Sequence, residues 1–145
     1  MKNLPDFLDE SRRLRTVARA SNPNSFCLIV ENRRASFEAI KKALECVGVK
    51  SRSAESIDDA LGIINEESEN IIAAVIGSHV NGVGTASDVV REIERDHLAL
   101  PYLVYTRKNE EAKFFSKRFP RANVVRHSSQ PEQIAEALGL KKEGV

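Results

Sequence analysis

The sequence at residues 71–77 reads IIAAVIG, six apolar residues that end at Gly77. A short, unbroken apolar run rich in β-branched residues is typical of a strand covered by helices on both faces of a parallel sheet. Similar runs lie at 26–30 and 101–105, and a shorter one lies at 123–126. The sequence therefore predicts a parallel sheet at the centre of the fold.

Amphipathic segments occupy the intervals between these strands. Helical spacing of apolar residues is found over 35–47, 56–64, 85–98, 109–119 and 131–138. A polar, weakly strand-like segment at 49–54 suits the edge of a sheet. Strict alternation of strand and helix predicts an α/β fold with a doubly wound, five-stranded parallel sheet in the order 2-1-3-4-5.

The chain divides into three parts. Residues 26–141 make up the α/β domain, and residues 142–145 are a short tail. Residues 1–25 place apolar side chains along one helical face and end in a polar linker. This amphipathic N-terminal segment is expected to fold back onto the domain, to be a frayed tail, or to offer a surface to a partner or a second copy.

The composition limits the classes of function. The chain has 22 Lys and Arg against 21 Asp and Glu, which argues against a general nucleic-acid or membrane surface. No apolar run approaches the roughly 20 residues of a membrane span. Cys27 and Cys46 lack metal-ligand spacing, so both are expected to be reduced core residues. We expect a soluble cytoplasmic protein without membrane or direct nucleic-acid binding.

Several polar or small residues follow the strands at the points where these end. They are Glu31, Asn32, Gly77, Ser78, Thr106 and His127. The carboxyl ends of parallel strands meet at one edge of the sheet, where doubly wound folds bind ligands. The sequence therefore predicts that these residues surround one pocket.

This pattern resembles the receiver domains of two-component response regulators, which are CheY-like and flavodoxin-like in fold, over about residues 25–140. The resemblance implies a pocket in which carboxylates hold Mg²⁺ and receive a phosphoryl group, assisted by a lysine and a hydroxyl. Thr106 matches the hydroxyl, but Gly77 replaces the phosphoacceptor aspartate and His127 replaces the lysine. The chain thus resembles a degenerate receiver, or pseudo-receiver. The Ile76-Gly77-Ser78 strand end also resembles the N-terminal domain of NtrC-like flagellar master regulators.

The resemblance implies a regulatory module in bacterial signal transduction or transcription control that binds a protein or a second copy without phosphorylation. No nucleophile–base pair is visible, so neither catalysis nor a cofactor is expected. The surface that receivers use most often consists of the fourth helix, the fifth strand and the fifth helix. Here it includes Lys113, Lys117, Arg118, Arg121, Val124 and Arg126. Such a basic face suits an acidic partner or a reciprocal homodimer.

An alternative function would use the emptied pocket as a sensor of a metal or a small anion. Glu31, His79 and His127 could converge there, and two histidines with a carboxylate suit Zn²⁺ or Fe²⁺. Sensitivity to chelators would distinguish this function from protein docking.

Overall fold

Five parallel strands form the centre of the computed structural model, which describes residues 23–78, 86–97, 99–126 and 131–138. The strands are β1 (Phe26–Val30), β2 (Ser51–Ser53), β3 (Ile71–Gly77), β4 (Tyr102–Thr106) and β5 (Asn123–Arg126). Their order is β2-β1-β3-β4-β5, and every neighbouring pair is parallel. The predicted fold class and strand order are confirmed.

Helices cover both faces of this sheet. They are α1 (Arg34–Cys46), α2 (Ile57–Glu67), α3 (Ala86–Asp96), α4 (Asn109–Arg118) and α5 (Pro131–Ala137), with a 3₁₀ turn at Ser68–Asn70. One core contains residues of α1 and α5, and the other contains residues of α2, α3 and α4. None of the described helices is long and apolar enough to cross a membrane. The helix predicted within residues 1–25 and the tail at 142–145 lie outside the described residues, except for residues 23–25.

The unbroken apolar runs are explained by these two cores. Alternate residues of a strand point to opposite faces, so Ala74 packs with the core beneath α2, α3 and α4. Its neighbour Val75 packs with the core beneath α1 and α5. Both are fully buried, as are all the other residues of β3. β2, by contrast, is polar and largely exposed, as expected of an edge strand.

The ends of two helices follow from local chemistry. The backbone N–H of Asp59 donates to Oγ of Ser56 at 3.0 Å, which confirms the predicted start of α2. Gly48 follows α1 with φ of 73°, a left-handed conformation that glycine adopts without a steric penalty.

The cysteine prediction is half right. Cys27 is fully buried in β1, and burial raises the pKa of its thiol to about 12. Cys46, however, is exposed. It lies two residues after the buried Leu44, a rotation of about 200° around the helix, which turns it towards solvent.

Candidate functional site

The carboxyl ends of β1, β3 and β4 lie next to one another in the sheet. Val30 pairs with Ile76, and Gly77 pairs with Tyr105. This register places the strand-end residues Glu31, Gly77, Ser78 and Thr106 at one edge, as predicted. Asn32 is exposed, and His127 lies outside the described residues.

The Glu31 carboxylate fills the space beside Gly77. Its Oε1 accepts a hydrogen bond of 2.9 Å from the backbone N–H of Arg33, and the residue is 6% exposed. A Cβ atom built on Gly77 would overlap Oε2 of Glu31, lie 2.7 Å from its Cδ and lie 3.2 Å from the carbonyl oxygen of Val30. The absence of a side chain at position 77 is therefore what makes room for the carboxylate.

Burial controls the proton affinity of Glu31. Removal from water raises the pKa of its carboxyl group, because the charged form loses solvation. The N–H of Arg33, the charge of Arg33, the N–H of Asn32 and the charge of Arg107 each lower it, but they do not cancel the effect of burial. The charged form of Glu31 is consequently less stable at this buried position than it would be in water.

Replacement of Glu31 by glutamine should stabilise the chain at neutral pH. A raised native pKa means that the folded chain binds this proton more tightly than the unfolded chain, whose carboxyl has the ordinary value of 4.5. The unfolding free energy of the wild type therefore falls as pH rises from that value through the native pKa. We expect Glu31→Gln to be the more stable protein at about pH 7 and the two to converge at about pH 4, measured by urea unfolding.

The exposed Glu38 of α1 supplies the control. Glu38→Gln removes the same charge without burial, so its difference from the wild type should change little with pH. A Glu31→Gln protein that is less stable than the wild type at neutral pH would contradict the explanation by burial.

A second carboxylate joins the ends of β3 and β4 to α4. Oε2 of Glu111 accepts hydrogen bonds from the hydroxyl of Ser78 and, at 3.2 Å, from the hydroxyl of Thr106. Thr106 is buried, whereas Ser78 is half-buried. The Thr106 hydroxyl also lies 3.3 Å from the carbonyl oxygen of Lys108 and accepts a hydrogen bond from the N–H of Lys108 at 3.2 Å. We call Ser78, Thr106 and Glu111 the Glu111 bridge.

Glu111 is not predicted as a pocket residue from the sequence. An acidic residue in the first turn of a helix has an ordinary explanation, since it interacts favourably with the helix dipole. The available signal was its spacing, four residues before the buried Phe115, which turns Glu111 towards the sheet. That spacing alone does not identify the strand-end hydroxyls as its partners.

The predicted basic face is solvent-accessible. Its exposed members are Lys113, Lys117, Arg118, Arg121 and Arg126. Val124 is half-buried and packs against the core of α2, α3 and α4. Of the predicted metal ligands, His79 and His127 lie outside the described residues, and the described residues contain no group of three metal-binding side chains.

Comparison with known proteins identifies the fold. No family model matches the sequence, and no curated protein matches it. Among solved structures, a response regulator receiver domain protein from Clostridium thermocellum matches with a TM-score of 0.67 and 19% identity, over 79% of this chain and 91% of that one. A response regulator receiver protein from Sinorhizobium medicae matches with a TM-score of 0.67 and 13% identity, over 79% and 94%. The chain has a receiver-like fold.

Two further matches show what this similarity covers. The bacteriophytochrome response regulator AtBRR has a TM-score of 0.65 and 19% identity, over 81% of this chain and 94% of that one. A de novo designed Rossmann 2x3 protein also matches, with a TM-score of 0.58 and 11% identity, over 79% and 86%. A designed protein shares architecture but no ancestry, so similarity at this level concerns the receiver-like fold and leaves the chemistry of the pocket to the residues themselves.

Proposed function

We propose that this receiver-like chain is a pseudo-receiver, a regulatory module of bacterial signal transduction or transcription control that acts by protein contact without aspartyl phosphorylation. The observation that carries the proposal is the Glu31 carboxylate, which occupies the space beside Gly77 where a side chain would otherwise lie. Gly77 thus supplies no nucleophile, and the Glu31 carboxylate fills the space where a nucleophilic side chain would lie.

Glu31 is a poor substitute for a phosphoacceptor. A nucleophilic carboxylate must present an oxygen to the phosphoryl donor. One oxygen of Glu31 is engaged by the N–H of Arg33, the other lies against Gly77, and the side chain is buried. The surroundings of Glu31 therefore favour a structural role.

The Glu111 bridge supports regulation through a surface. The Thr106 hydroxyl already has a carboxylate acceptor within the chain, so its position does not await an added phosphoryl group. The same bridge holds the first turn of α4 against the ends of β3 and β4. A helix held in this way presents its exposed charges in one constant orientation, which lowers the entropic cost of binding a partner.

The proposal is tested by exposing the full chain to acetyl phosphate and Mg²⁺ and measuring its intact mass. We expect no phosphoryl adduct on the wild type, and none on Gly77→Asp, because that variant still has His127 where receivers carry the lysine that stabilises the phosphoryl oxygens. Sedimentation with and without the phosphodonor should give the same mass. An intact mass equal to that of the unmodified chain supports the proposal. An aspartyl or glutamyl phosphate that alters sedimentation would overturn it.

A further inference from the structure

The first turn of α1 offers backbone N–H groups without supplying an acceptor for them. Arg33 stands at the capping position, but its side chain makes no capping hydrogen bond, and the first turn contains no acidic residue. The N–H of Phe37 donates to the carbonyl oxygen of Arg33 at 2.9 Å and closes the first turn. The N–H groups of residues 34–36 therefore have no acceptor within the helix, and their partial positive charge favours an anion.

A buried hydroxyl without a partner lies in the same turn. Ser36 is fully buried, and its Oγ is the only buried side-chain oxygen or nitrogen of the described residues that has no hydrogen-bond partner. Side chains of an α-helix lean towards its N-terminus, so this hydroxyl leans towards the uncapped start of α1. An unpaired buried hydroxyl destabilises a fold, and a ligand that supplies an acceptor removes that cost. Ser36 is thus a second and independent sign of a missing ligand.

Two arginines bring positive charge to this edge of the sheet. Arg33 lies between β1 and α1 and is half-buried, whereas Arg107 directly follows β4 and is exposed. Between β1 and β4 lies β3, which ends at Gly77 and has no side chain there. Burial raises the pKa of Glu31, and the charges of Arg33 and Arg107 both oppose that effect. Both guanidinium groups therefore act on the region beside Gly77 and the start of α1.

The two arginines have no acidic partner in the described part of the chain. Arg91 of α3 pairs with Asp88 at 3.2 Å, but no ion pair among the described residues involves Arg33 or Arg107. A guanidinium presents a planar set of N–H donors that matches the oxygens of a phosphate group. Two such groups and a helix start together suit a tetrahedral anion that carries more than one charged oxygen.

We propose that the start of α1 reversibly binds a phosphate group, held by the free N–H groups of the first turn, the Ser36 hydroxyl and the guanidinium groups of Arg33 and Arg107. Helix N-termini bind phosphate through their N–H groups and their dipole, and the side chains add donors on two further sides. Arg34 and Ala35 beside this turn are exposed, so a small anion can approach it from solvent. Binding involves no covalent step.

Glu31 limits the affinity of this site. Its Oε1 lies 2.9 Å from the backbone nitrogen of Arg33, so a negative carboxylate stands close to any anion at the start of α1. Like charges at short distance repel each other, and they do so more strongly where water is excluded. Glu31→Gln keeps the shape and removes the charge, so it should strengthen phosphate binding about threefold or more.

The test is calorimetric titration of the full chain with inorganic phosphate at neutral pH and constant ionic strength. We expect saturable binding of one phosphate per chain. Arg33→Gln and Arg107→Gln should each weaken it about tenfold or more, because each removes hydrogen bonds between charged groups. Lys41→Gln removes the same charge at an exposed position two turns further along α1, and it should leave the affinity unchanged.

Ser36→Ala separates binding from a structural role of the hydroxyl. Without phosphate this variant should have a higher urea midpoint than the wild type, because alanine removes an unpaired buried polar group. Phosphate should bind it about threefold or more weakly, and should therefore raise its midpoint less than that of the wild type. A Ser36→Ala protein that is less stable than the wild type and binds phosphate equally well would contradict the assignment of Ser36.

Two further ligands complete the design. Acetate should bind about tenfold or more weakly than phosphate, since it has fewer oxygens and less charge. Glycerol phosphate distinguishes the sources of the group: affinity equal to that of inorganic phosphate assigns a phosphate ester, weaker binding assigns the free ion, and either result supports the site. Absence of phosphate binding, equal binding of acetate, or an affinity unchanged in both arginine variants would overturn it.

This inference goes beyond the proposed function and does not depend on it. Reversibly bound phosphate leaves the intact mass of the denatured chain unchanged, so the acetyl phosphate experiment decides the proposed function separately.

Discussion

Gly77→Ala lowers the unfolding free energy by about 1–3 kcal/mol, and most of this loss disappears when Glu31 is also replaced by alanine. The added methyl group would lie 2.7 Å from Cδ of Glu31 in a fully buried strand. The carboxylate must then leave its position and lose the N–H of Arg33. With alanine at position 31, the nearest atom to the methyl group is the carbonyl oxygen of Val30, at 3.2 Å.

A double-mutant cycle measured by urea unfolding isolates this interaction. Gly62→Ala is a matched control, because it makes the same change within α2 where an added Cβ has nothing within 4 Å. Alanine should stabilise that helix by about 0.5–1 kcal/mol, the opposite sign from position 77. An equal cost for Gly77→Ala with and without Glu31 would show that the carboxylate does not fill this space.

Glu111→Ala is expected to destabilise the chain by about 2–4 kcal/mol, because hydrogen bonds to a charged acceptor are strong and a buried hydroxyl loses its partner. Thr106 keeps the carbonyl oxygen of Lys108 at 3.3 Å as a weaker acceptor, which limits the loss. Glu111→Gln should fall between the wild type and alanine, since its amide oxygen can still accept. Urea unfolding of dilute protein measures all three.

The neighbouring residue Glu110 gives the control for this prediction. It is exposed in the same helix turn, so Glu110→Ala should change the unfolding free energy by no more than about 0.5 kcal/mol. Similar costs at positions 110 and 111 would mean that the Glu111 bridge does not hold α4. If the bridge does hold α4, hydrogen exchange in the first turn of the helix should accelerate in Glu111→Ala, because that turn loses its attachment to the strand ends.

The architecture was accessible from the sequence because its signals are local. The unbroken apolar run at 71–76 and the helical spacing after it depend only on which residues must be buried. The capping serine at Ser56 and the glycine at Gly48 mark helix ends through their own backbone preferences. The strand order could also be predicted, because the rules for connections between parallel strands allow few orders when strands and helices alternate strictly.

The site was only partly accessible. The sequence predicted that Glu31, Gly77, Ser78 and Thr106 lie together, because parallel strands end at one edge of the sheet. The role of Glu111 was not predicted, because the helix dipole already explains an acidic residue in the first turn of a helix. Nothing in the sequence then indicates partners on distant strands. Cys46 was assigned to the core although its place on α1 faces solvent. Each of these errors concerns the direction of a side chain relative to a distant element.

The sequence by itself determined that Gly77 cannot accept a phosphoryl group, because that follows from residue identity. Only the tertiary structure decided that Glu31 occupies the space beside Gly77 and that Glu111 binds the hydroxyls of Ser78 and Thr106. The contacts of Glu31 with Gly77 and of Glu111 with Ser78 join residues 33 or more positions apart, where distance is set by packing of the whole sheet and not by local preference.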